Sequence, residues 1–470
     1  MNNSLKKTII LADPPSVRHG PPPSIALRDQ TLTSIYSKVI ASHVSDKLLT
    51  RGLSCWNAVN TKYVTNYGLL MIGQALHNIG HNVKYDNGDY YSSVDEYIYC
   101  LISQCARADV VCFTSTTPQF ENVFRMARKI RETNPEIIIV LGGPHASFVN
   151  EEPNMLPFNM VLKGYSAQKS ANAIAEYAVP PVERDKTQYV DVSGYEDIEK
   201  AFWLIPQSNL CSTLLYTYTS FGCPNNCRYC VEHKLCSKLN ILEARKTIKE
   251  IGFLVDKCNV RFVHLSDSDF FIHRGAANCF LDQLKNCSIN ACYSVNTNPK
   301  TLINKDVHNL ISKFVDLGLV ELLIGVEYFS PSVLKNMHKD YCIEEFFDAM
   351  VRLRAENPKL IISFYSLVGL PGETFDSQKE NFDWFQRFFE EKLVDFSFPK
   401  FFVPYPGTDV YEHPDKYNVE ILHRRWSEYH RWATPRPIKI PGLSDDDLLR
   451  ELDDLYALSQ RNILLINDNG

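Results

Sequence analysis

Long apolar runs are missing from this 470-residue sequence, and so is a strong net charge. No stretch approaches the roughly 20 apolar residues that a membrane-spanning helix needs, and the apolar part of the opening segment LKKTIILADPP is too short for a secretory signal. The formal net charge of −6 argues against a general nucleic-acid coat or a protein that binds anionic membranes. We therefore expect a cytoplasmic protein with neither nucleic acid nor membrane as a partner.

The sequence also lacks internal repeats, low-complexity tracts and the paired cysteines of a disulfide framework. Its 14 cysteines are scattered apart from one cluster, which is typical of reduced thiols in a cytosolic protein. The chain is longer than one hydrophobic core usually serves, at roughly 100 to 200 residues per domain. At least two domains are therefore expected.

Strand and helix signals alternate through the first part of the chain. KTIILADPP predicts a buried strand, and GLLMIGQALHNIGHNVKYD predicts a helix that stops at Gly80 and leads into a strand. The segments ADVVCFTSTT, QFENVFRMARKIRETNP and EIIIVLGGPH repeat the pattern as strand, helix and strand. This order predicts an α/β domain with a doubly wound parallel sheet. We assign residues 1–185 to it and the irregular residues 186–209 to a linker.

Ligands of such sheets bind beyond the carboxyl ends of the strands. Small residues follow two of the predicted strands at that place, namely Thr114, Ser115, Thr116, Thr117, Gly142, Gly143, Pro144 and His145. They would let a bulky planar or phosphate-bearing ligand approach the backbone, although loops at this position are rich in Gly, Ser and Pro in any case.

About six further strand and helix units follow in residues 210–407. The strand candidates are STLLYTYTSFG, VRFVHLSDSDFF, ACYSVNTN, LVELLIGVEYF, LIISFYSLVGLPGE and VDFSFPKFFVPYPGT. The pattern predicts a partial or full (β/α) barrel, with its active site at the carboxyl ends of the strands.

Residues 408–470 are interpreted as a helical C-terminal extension. Its segment EILHRRWSEYHRWATPRP, which includes His423 and Arg424, is interpreted as a helix. The helix would pack Trp426, Tyr429 and Trp432 on the barrel. The alternative is that its arginines bind a phosphate or carboxylate of a substrate.

The one cysteine cluster is SFGCPNNCRYCVEH, with Cys223, Cys227 and Cys230 spaced C-x-x-x-C-x-x-C just after the first predicted barrel strand. A zinc site would need a fourth ligand, and Cys236 lies outside any paired spacing. A catalytic disulfide would leave Cys223 unexplained. Three thiolates on a four-iron cube leave one iron open for reaction. The residues therefore favour an iron–sulfur cluster, with zinc or structural cysteines as alternatives.

This spacing, with the aromatic Tyr229 before the last cysteine, resembles the signature of the radical S-adenosylmethionine (SAM) superfamily. The resemblance covers roughly residues 210–408. It implies a 4Fe-4S cluster on Cys223, Cys227 and Cys230 that binds SAM and cleaves it to a 5′-deoxyadenosyl radical. It also implies an electron donor such as flavodoxin or ferredoxin and a small-molecule substrate.

Other barrel segments are similar to motifs of the same superfamily. LLIGVEYFSPSVLKNMHKDY resembles its G-[IV]-E-S stretch, which would place Glu327 on the SAM side, with Tyr328 where relatives usually have Ser. HLSDSDF lies where relatives carry an acidic strand end, which would place Ser268 and Asp269 near the cofactor. Asn296 is a further candidate at the barrel interior. VGLPGET and VPYPGT resemble strand-end loops of the family. No catalytic acid or base is predicted.

The first domain is similar to the cobalamin-binding domain of cobalamin-dependent radical SAM enzymes. The resemblance implies that Thr114 to Thr117 and Gly142 to His145 line a cobalamin. The sequence has no D-x-H-x-x-G motif, so a histidine as lower axial ligand is not predicted. Where relatives continue with a G-E-G-E-like turn, this chain reads VLKGYSAQKS and keeps only Gly164.

Two functions follow from the resemblance. With cobalamin, the expected reaction is methylation of an unactivated carbon in natural-product biosynthesis. Without it, the expected reaction is a radical dehydration, deoxygenation or isomerisation. A non-catalytic sensor would need a recognition module, and none is found. Methylthiolation of transfer RNA is disfavoured because Cys55, Cys100, Cys105 and Cys112 lack cluster spacing and the C-terminus is predicted to be helical rather than a β-domain.

Overall fold

The computed structural model describes residues 6–15, 23–50, 66–149, 157–178, 187–194, 198–210, 215–236, 238–258, 260–422 and 425–467. Within these ranges the chain forms two parallel sheets of six strands each. The predicted α/β architecture is confirmed. In the same ranges, none of the helices combines the length and the apolar character that crossing a bilayer requires.

The first sheet is the doubly wound sheet that the sequence predicts. Its strands are β1 (Thr8–Asp13), β2 (Asn82–Asn87), β3 (Val110–Thr114), β4 (Ile138–Gly142), β5 (Met160–Lys163) and β6 (Gln188–Asp191). They lie in the order β2-β1-β3-β4-β5-β6. The order reverses between β1 and β3, which is where ligands of such sheets bind. β6 falls in the predicted linker and pairs in parallel with β5, so the linker prediction is wrong for these four residues.

Six helices belong to this part of the chain. They are α1 (Pro23–Thr50), α2 (Tyr67–Asn78), α3 (Val94–Cys105), α4 (Phe120–Thr133), α5 (Pro144–Phe148) and α6 (Ala167–Tyr177). The side chain of Asn66 accepts a hydrogen bond from Leu69 N and so caps α2, and Ser166 caps α6 in the same way. These two caps bring both helix N-termini to the carboxyl edge of the sheet.

The second sheet is a partial barrel. Strands of this half are β7 (Leu215–Thr217), β8 (Ser220–Phe221), β9 (Asn240–Ile241), β10 (Phe262–Leu265), β11 (Cys292–Thr297), β12 (Leu319–Glu327), β13 (Ile361–Val368) and β14 (Phe396–Phe401). β8 and β9 form a separate antiparallel ribbon. The other six pair in parallel in chain order, from β7 to β14. All six strand candidates in residues 210–407 are confirmed.

Helices cover the outside of this barrel. They are α7 (Gln207–Leu210), α8 (Glu232–Leu235), α9 (Ala244–Cys258), α10 (Arg274–Lys285), α11 (Pro299–Leu302), α12 (Lys305–Leu317), α13 (Pro331–Asn336), α14 (Ile343–Glu356), α15 (Phe375–Glu390), α16 (Asp409–Glu412) and α17 (Asp445–Asn467). Phe364 shows how the outer face is filled, since its ring packs on Phe329, Phe346, Phe385 and Phe388.

Helix α1 leaves the first domain and lies against the inner face of the barrel. Its buried residues repeat every four positions along one face, at Leu32, Ile40 and Val44, with Tyr36 between them. The Tyr36 hydroxyl donates to both carboxylate oxygens of Glu321 on β12, at 2.8 and 2.9 Å. The structure thus places α1 with the barrel, although the sequence assigned residues 1–185 to the N-terminal domain.

The C-terminal region is helical at its start, in α16, and over its last part, in α17, with mostly irregular chain between them. Residues 426–428 form a single 3-10 turn, so the helix predicted across EILHRRWSEYHRWATPRP is wrong. Its packing is as predicted in one respect, because Tyr429 and Trp432 are buried while Arg425 is exposed. His423 and Arg424 lie outside the described residues.

Candidate active site

Hydrogen bonds on two sides fix the cysteine loop at the carboxyl end of the barrel. On one side, Asp267 at the end of β10 accepts hydrogen bonds from Thr219 N at 2.9 Å and from Thr219 Oγ1 at 2.8 Å. On the other side, Arg228 N donates to the carbonyl oxygen of Met337 at 3.0 Å. His338 Nδ1 also lies 3.0 Å from the Asn226 carbonyl oxygen. The loop is therefore held between the ends of two different strand and helix units.

The three thiols of the loop are partly or fully buried, with Cys227 buried and Cys223 and Cys230 half-buried. Cys230 N donates to the Cys227 carbonyl oxygen at 3.1 Å, which turns the chain between the second and third cysteines. Glu232 N lies 3.4 Å from Cys230 Sγ, where it can donate to a thiolate. Burial raises the pKa of all three thiols, that of Cys230 to about 12. Without a metal they are therefore held as neutral thiols.

This donor set fits a 4Fe-4S cluster. Three sulfur ligands bind three different irons of a cube, so they do not have to converge on one point. In the described ranges no three His, Cys, Asp or Glu side chains converge to hold a single metal ion. The fourth thiol nearby, Cys236, is engaged by Asn240 Nδ2 at 3.0 Å and does not complete a tetrahedron.

Glu327 ends β12 in a conformation that the fold must enforce. Its φ is +63°, in the left-handed region that non-glycine residues avoid, and the pairing of β12 with β13 shifts register between Gly325 and Glu327. The Tyr341 hydroxyl braces this turn by donating to the carbonyl oxygens of Val326 and Tyr328 at 3.1 and 3.2 Å. Backbone strain of this kind is typical of functional positions.

The bend directs the Glu327 carboxylate toward the cysteine loop. Lys339 Nζ lies 3.6 Å from Glu327 Oε1, and both side chains are about 15% exposed. The carboxylate is close enough to raise the pKa of the Cys227 thiol, whereas Lys339 lowers it, both after the larger effect of burial. If the three thiols hold a cluster, this carboxylate and ammonium group would suit the amino and carboxylate groups of SAM.

Asp269, Asn296 and Ser268 have different surroundings. Asp269 is buried and accepts from Thr297 Oγ1 at 2.9 Å and Thr301 Oγ1 at 2.6 Å, while burial raises its pKa to about 6. Asn296 Nδ2 donates to the Asp267 carbonyl oxygen at 3.1 Å. Both residues therefore position loops. Ser268 alone of the three lines the large cavity between the domains.

A cavity of about 520 Å³ separates the carboxyl edges of the two sheets. Thr114, Gly142, Gly143 and Pro144 line it from the first sheet. It also runs down along that sheet between the strands and the helices α2 and α6. Its deeper lining comes from apolar residues of β3, β4 and these helices, namely Leu69, Cys112, Val140 and Ile174. The cavity therefore has a broad mouth and an apolar shaft.

This shape fits a large planar ligand such as a corrinoid. A Cβ built on Gly142 would meet no atom closer than 3.9 Å, so the backbone there is open to a ligand. Gly164, which the chain keeps from the G-E-G-E-like turn, also lines the mouth. An apolar cavity at a domain interface is the usual setting of a cofactor site.

The remaining residues predicted for this site lie elsewhere. Ser115, Thr116 and Thr117 do not line the cavity. Thr116 Oγ1 instead donates to the Gln119 side chain at 2.7 Å, at the start of a 3-10 turn. The His145 ring is buried against Phe120 and Trp426, with centroid distances of 4.2 and 5.1 Å. Burial lowers the pKa of His145 to about 3, so it is a neutral packing residue.

Sequence reasoning missed part of the lining of this cavity. Tyr165 faces it from the first domain, and Glu232 and Cys236 face it from the barrel side. Tyr216 of β7 and Tyr218 just after it also line the cavity. Tyr216 and Tyr218 are two positions apart, so their side chains lie on the same side of the chain. The sequence does not say whether that side points into the barrel. Tyr165 follows strand β5, and Glu232 follows the cysteine loop. Neither residue belongs to a recognisable sequence motif. No signal in the sequence could have found them.

The lumen of the barrel is polar below this cavity. His264 Nδ1 lies 2.7 Å from Ser294 Oγ, and Tyr216 packs edge-on against the His264 ring at 5.3 Å. Glu321 accepts from Tyr36 and Ser363, and burial raises its pKa to about 7. Tyr365 is 42% exposed although it lies on a central strand, so the lumen is open beside it.

Comparison with known proteins agrees with this arrangement. The model of the radical SAM superfamily matches residues 217–385, and that of the B12 binding domain matches residues 56–168. The chain is 24% identical over 374 residues to the anaerobic magnesium-protoporphyrin IX monomethyl ester cyclase of Rubrivivax gelatinosus, which covers 72% of this chain and 63% of the cyclase. It is 22% identical over 392 residues to the tRNA-2-methylthio-N(6)-dimethylallyladenosine synthase of Acinetobacter baylyi, which covers 79% of each.

Solved structures give the same fold over most of the chain. The radical SAM methyltransferase TsrM from Kitasatospora setae, with cobalamin and a [4Fe-4S] cluster bound, superimposes with a TM-score of 0.67 and 15% identity. The match covers 97% of this chain and 91% of TsrM. The cobalamin-dependent radical enzyme OxsB gives a TM-score of 0.56 at 15% identity, over 88% of this chain and 56% of OxsB. These likenesses concern the fold.

Proposed function

Because this chain is a radical SAM protein with an N-terminal domain of the B12-binding kind, we propose that it is a cobalamin-dependent radical methyltransferase. The proposed reaction is transfer of a methyl group to an unactivated carbon of a small molecule in natural-product biosynthesis. When bound, the cluster with SAM supplies a radical that abstracts hydrogen, and the corrinoid supplies the methyl group. The chain's own residues bind, orient and shield these groups.

One observation carries the proposal, namely the continuity of the large cavity. Its lining runs from Gly142 and Thr114 of the first sheet to Ser266 and Ser268 of the second. A ligand on the first sheet would thus face the barrel without protein between them. This is the geometry that transfer between a corrinoid and a substrate in the barrel needs.

The cysteine loop and the end of β12 have separate roles. The three cysteines bind the cluster, and the backbone N–H of Glu232 supports the charge on Cys230. Glu327 and Lys339 hold the polar end of SAM, because they are the paired charges beside Cys227. Tyr229 and the Tyr341 brace keep water away from this end of the site.

The substrate occupies the lumen between Tyr216 and Tyr365. Both rings border the open part of the barrel, and the His264 and Asn296 side chains, which lie 3.4 Å apart, form a polar wall beside them. Tyr36 of helix α1, which donates to Glu321 of β12, forms the floor of the lumen. A helix in that position leaves space in the lumen only for a small molecule. TsrM, whose fold is similar, has also been solved with a small-molecule substrate, tryptophan, bound.

Cobalamin-free radical chemistry is the second candidate, because the N-terminal domain lacks both acids of the G-E-G-E-like turn. Methylthiolation of transfer RNA, the activity named for several relatives, is less favoured. Cys105 ends α3 and Cys112 lies within β3, and burial raises the pKa of Cys105 to about 12. Neither thiol is placed to share a cluster, and Cys55 lies outside the described residues.

Corrinoid retention tests the proposal directly. The protein is reconstituted anaerobically with iron and sulfide, supplied with hydroxocobalamin and desalted. Corrinoid per chain is then measured by absorbance. Near-stoichiometric retention supports the methyltransferase. Retention near zero, with SAM still cleaved to 5′-deoxyadenosine, would leave the cobalamin-free reaction.

A further inference from the structure

We propose that the exposed face of α9, beside the cysteine loop, is the docking surface for a small acidic protein that donates one electron. The proposal rests on the proposed function, because only a redox-active cluster requires such a donor. In this step the donor is oxidised by one electron and the cluster is reduced by one. No covalent bond forms or breaks.

The surface lies next to the cluster ligands. A groove of about 250 Å³ runs between α2, residues 198–203 and α9, and Phe221 and Leu242 lie along it. Phe221 precedes Cys223 by two residues, and two residues of extended chain span at most about 7 Å. A protein seated in this groove would therefore lie within a short distance of the cluster.

Exposed apolar side chains form the centre of the surface. Trp203 is 54% exposed, Phe253 is 50% exposed and Ile241 is 45% exposed. Large apolar residues grouped at a surface and ringed by polar ones mark protein interaction sites. Aromatic residues are also enriched among those that dominate binding energy.

Basic side chains surround this apolar centre. Helix α9 carries four of them, namely Arg245, Lys246, Lys249 and Lys257. Against these four and Lys200 stand three acidic residues, namely Glu250, which pairs with Lys200 at 2.9 Å, Asp256 on the same helix, and Glu199 in the groove, so five basic residues face three acidic ones. The excess is positive on a chain whose formal net charge is −6. A partner with an acidic surface is the complement, and long-range attraction would speed its encounter.

The other openings at the cysteine loop are less suitable. The large cavity adjoins Gly222 and Cys236 but is enclosed between the two domains. A small cavity of about 250 Å³ reaches Cys227, with Lys300 and Asp340 among its lining residues. Its lining is also net basic, with Lys300 and Lys339 against Asp340, but none of the exposed aromatic residues named above lines it. Among these three openings of the described chain, the α9 groove is the one that combines exposed apolar residues with a positive excess.

Binding and electron transfer test the proposal with oxidised and reduced flavodoxin as the probe. The variants are Arg245→Glu combined with Lys249→Glu, and Phe253→Ser alone. Matched charge reversal at Lys300→Glu with Lys335→Glu, on the other side of the loop, is the control. Calorimetry gives the dissociation constant at low and high salt, and stopped-flow absorbance gives the rate of cluster reduction. Dithionite, which needs no docking surface, is the reference reductant.

We expect the α9 double variant to weaken flavodoxin binding by about tenfold or more at low salt, and to reduce its salt dependence. Phe253→Ser should weaken binding at both salt concentrations. Cluster reduction by dithionite should be unchanged in all variants. Equal binding by wild type and the α9 variants, or a larger loss in the control, would overturn the proposal. Failure of dithionite-reduced protein to cleave SAM would instead contradict the proposed function and leave these binding results intact.

Discussion

The two sheets present their carboxyl ends to the same cavity, yet the ends differ in chemistry. The first sheet contributes glycines and small residues, with Gly142 open to the cavity and no charged side chain among its lining residues. The second contributes the one charged side chain of the described lining, that of Glu232, together with Cys236 and the hydroxyls of Ser266 and Ser268. In both sheets these residues lie at or beyond the carboxyl ends of parallel strands, so the two sides of the cavity differ in residue type and not in their place in the fold. One side accommodates a large ligand, and the other side supplies charge.

The largest effect should come from removing a cluster cysteine. Cys227→Ala leaves two thiolates, which are too few to hold a cube with one open iron. Iron and sulfide per chain should fall close to zero, and SAM cleavage should fall below detection. Cys236→Ala is the control, because this thiol lies outside the predicted ligand set and should leave iron content unchanged. Equal iron loss in both variants would show that Cys236 is a ligand.

A larger side chain at Gly142 should impair ligand binding on the first sheet and leave the cluster site of the barrel intact. Gly142→Leu fills the mouth of the cavity, and overpacking of this kind costs about 1 to 3 kcal/mol, which corresponds to a loss of about 5- to 160-fold in corrinoid affinity. Gly142→Ala should have little effect, because its Cβ would have 3.9 Å of room. Iron content should stay the same in both. If the leucine variant retains corrinoid fully, the ligand does not lie on this sheet.

Glu327 tests the charged side of the comparison. Glu327→Gln keeps the size and removes the charge, so SAM affinity should fall by about 10- to 100-fold, the cost of a lost hydrogen bond to a charged group. Equilibrium dialysis of SAM against the reconstituted protein measures this. Glu345→Gln, at an exposed position on α14, is the control. A loss of iron in Glu327→Gln would indicate a structural role instead.

The smallest effect concerns pH and the buried Glu321. Burial raises its pKa from 4.5 to about 7, so between these values the folded state binds more protons than the unfolded state. The contribution of Glu321 to the free energy of unfolding is complete below pH 4.5 and is lost as the pH rises through 7. Wild type should therefore lose roughly 2 to 3 kcal/mol of unfolding free energy relative to Glu321→Gln between pH 5 and pH 8.

Urea unfolding of both proteins at the two pH values measures this difference. Glu345→Gln again serves as the control and should follow wild type. A difference between wild type and Glu321→Gln that stays constant with pH would mean that Glu321 titrates near its ordinary value.

The strands and the cluster loop could be predicted because their signals are local. Continuous apolar runs such as that of β4 indicate strands buried on both faces, and the cysteine spacing needs no tertiary information. The roles of Asp269 and His145 could not be predicted in this way. Both lie at strand ends that point to a site, but hydrogen bonds from Thr297 and Thr301 occupy the first, and packing on Phe120 encloses the second.

The placement of α1 also lay beyond sequence reasoning. Its apolar residues Leu32, Ile40 and Val44 predict a buried face, but a pattern does not name the surface that covers it. Strand β6 was missed for a related reason, since QYVD is short and its residues are half-buried or exposed at the edge of the sheet. Tertiary contacts decide both cases.

Helix α1 also constrains how the chain can be made. Tyr36 and its partner Glu321 are 285 residues apart. At a synthesis rate of about 5 to 20 residues per second, the helix waits roughly 15 to 60 s on the ribosome before its binding surface has emerged. During that time its apolar stripe is exposed to solvent and to chaperones. The strands of the first sheet can pair as the nascent chain leaves the ribosome, whereas α1 reaches its final position only after the barrel has been translated.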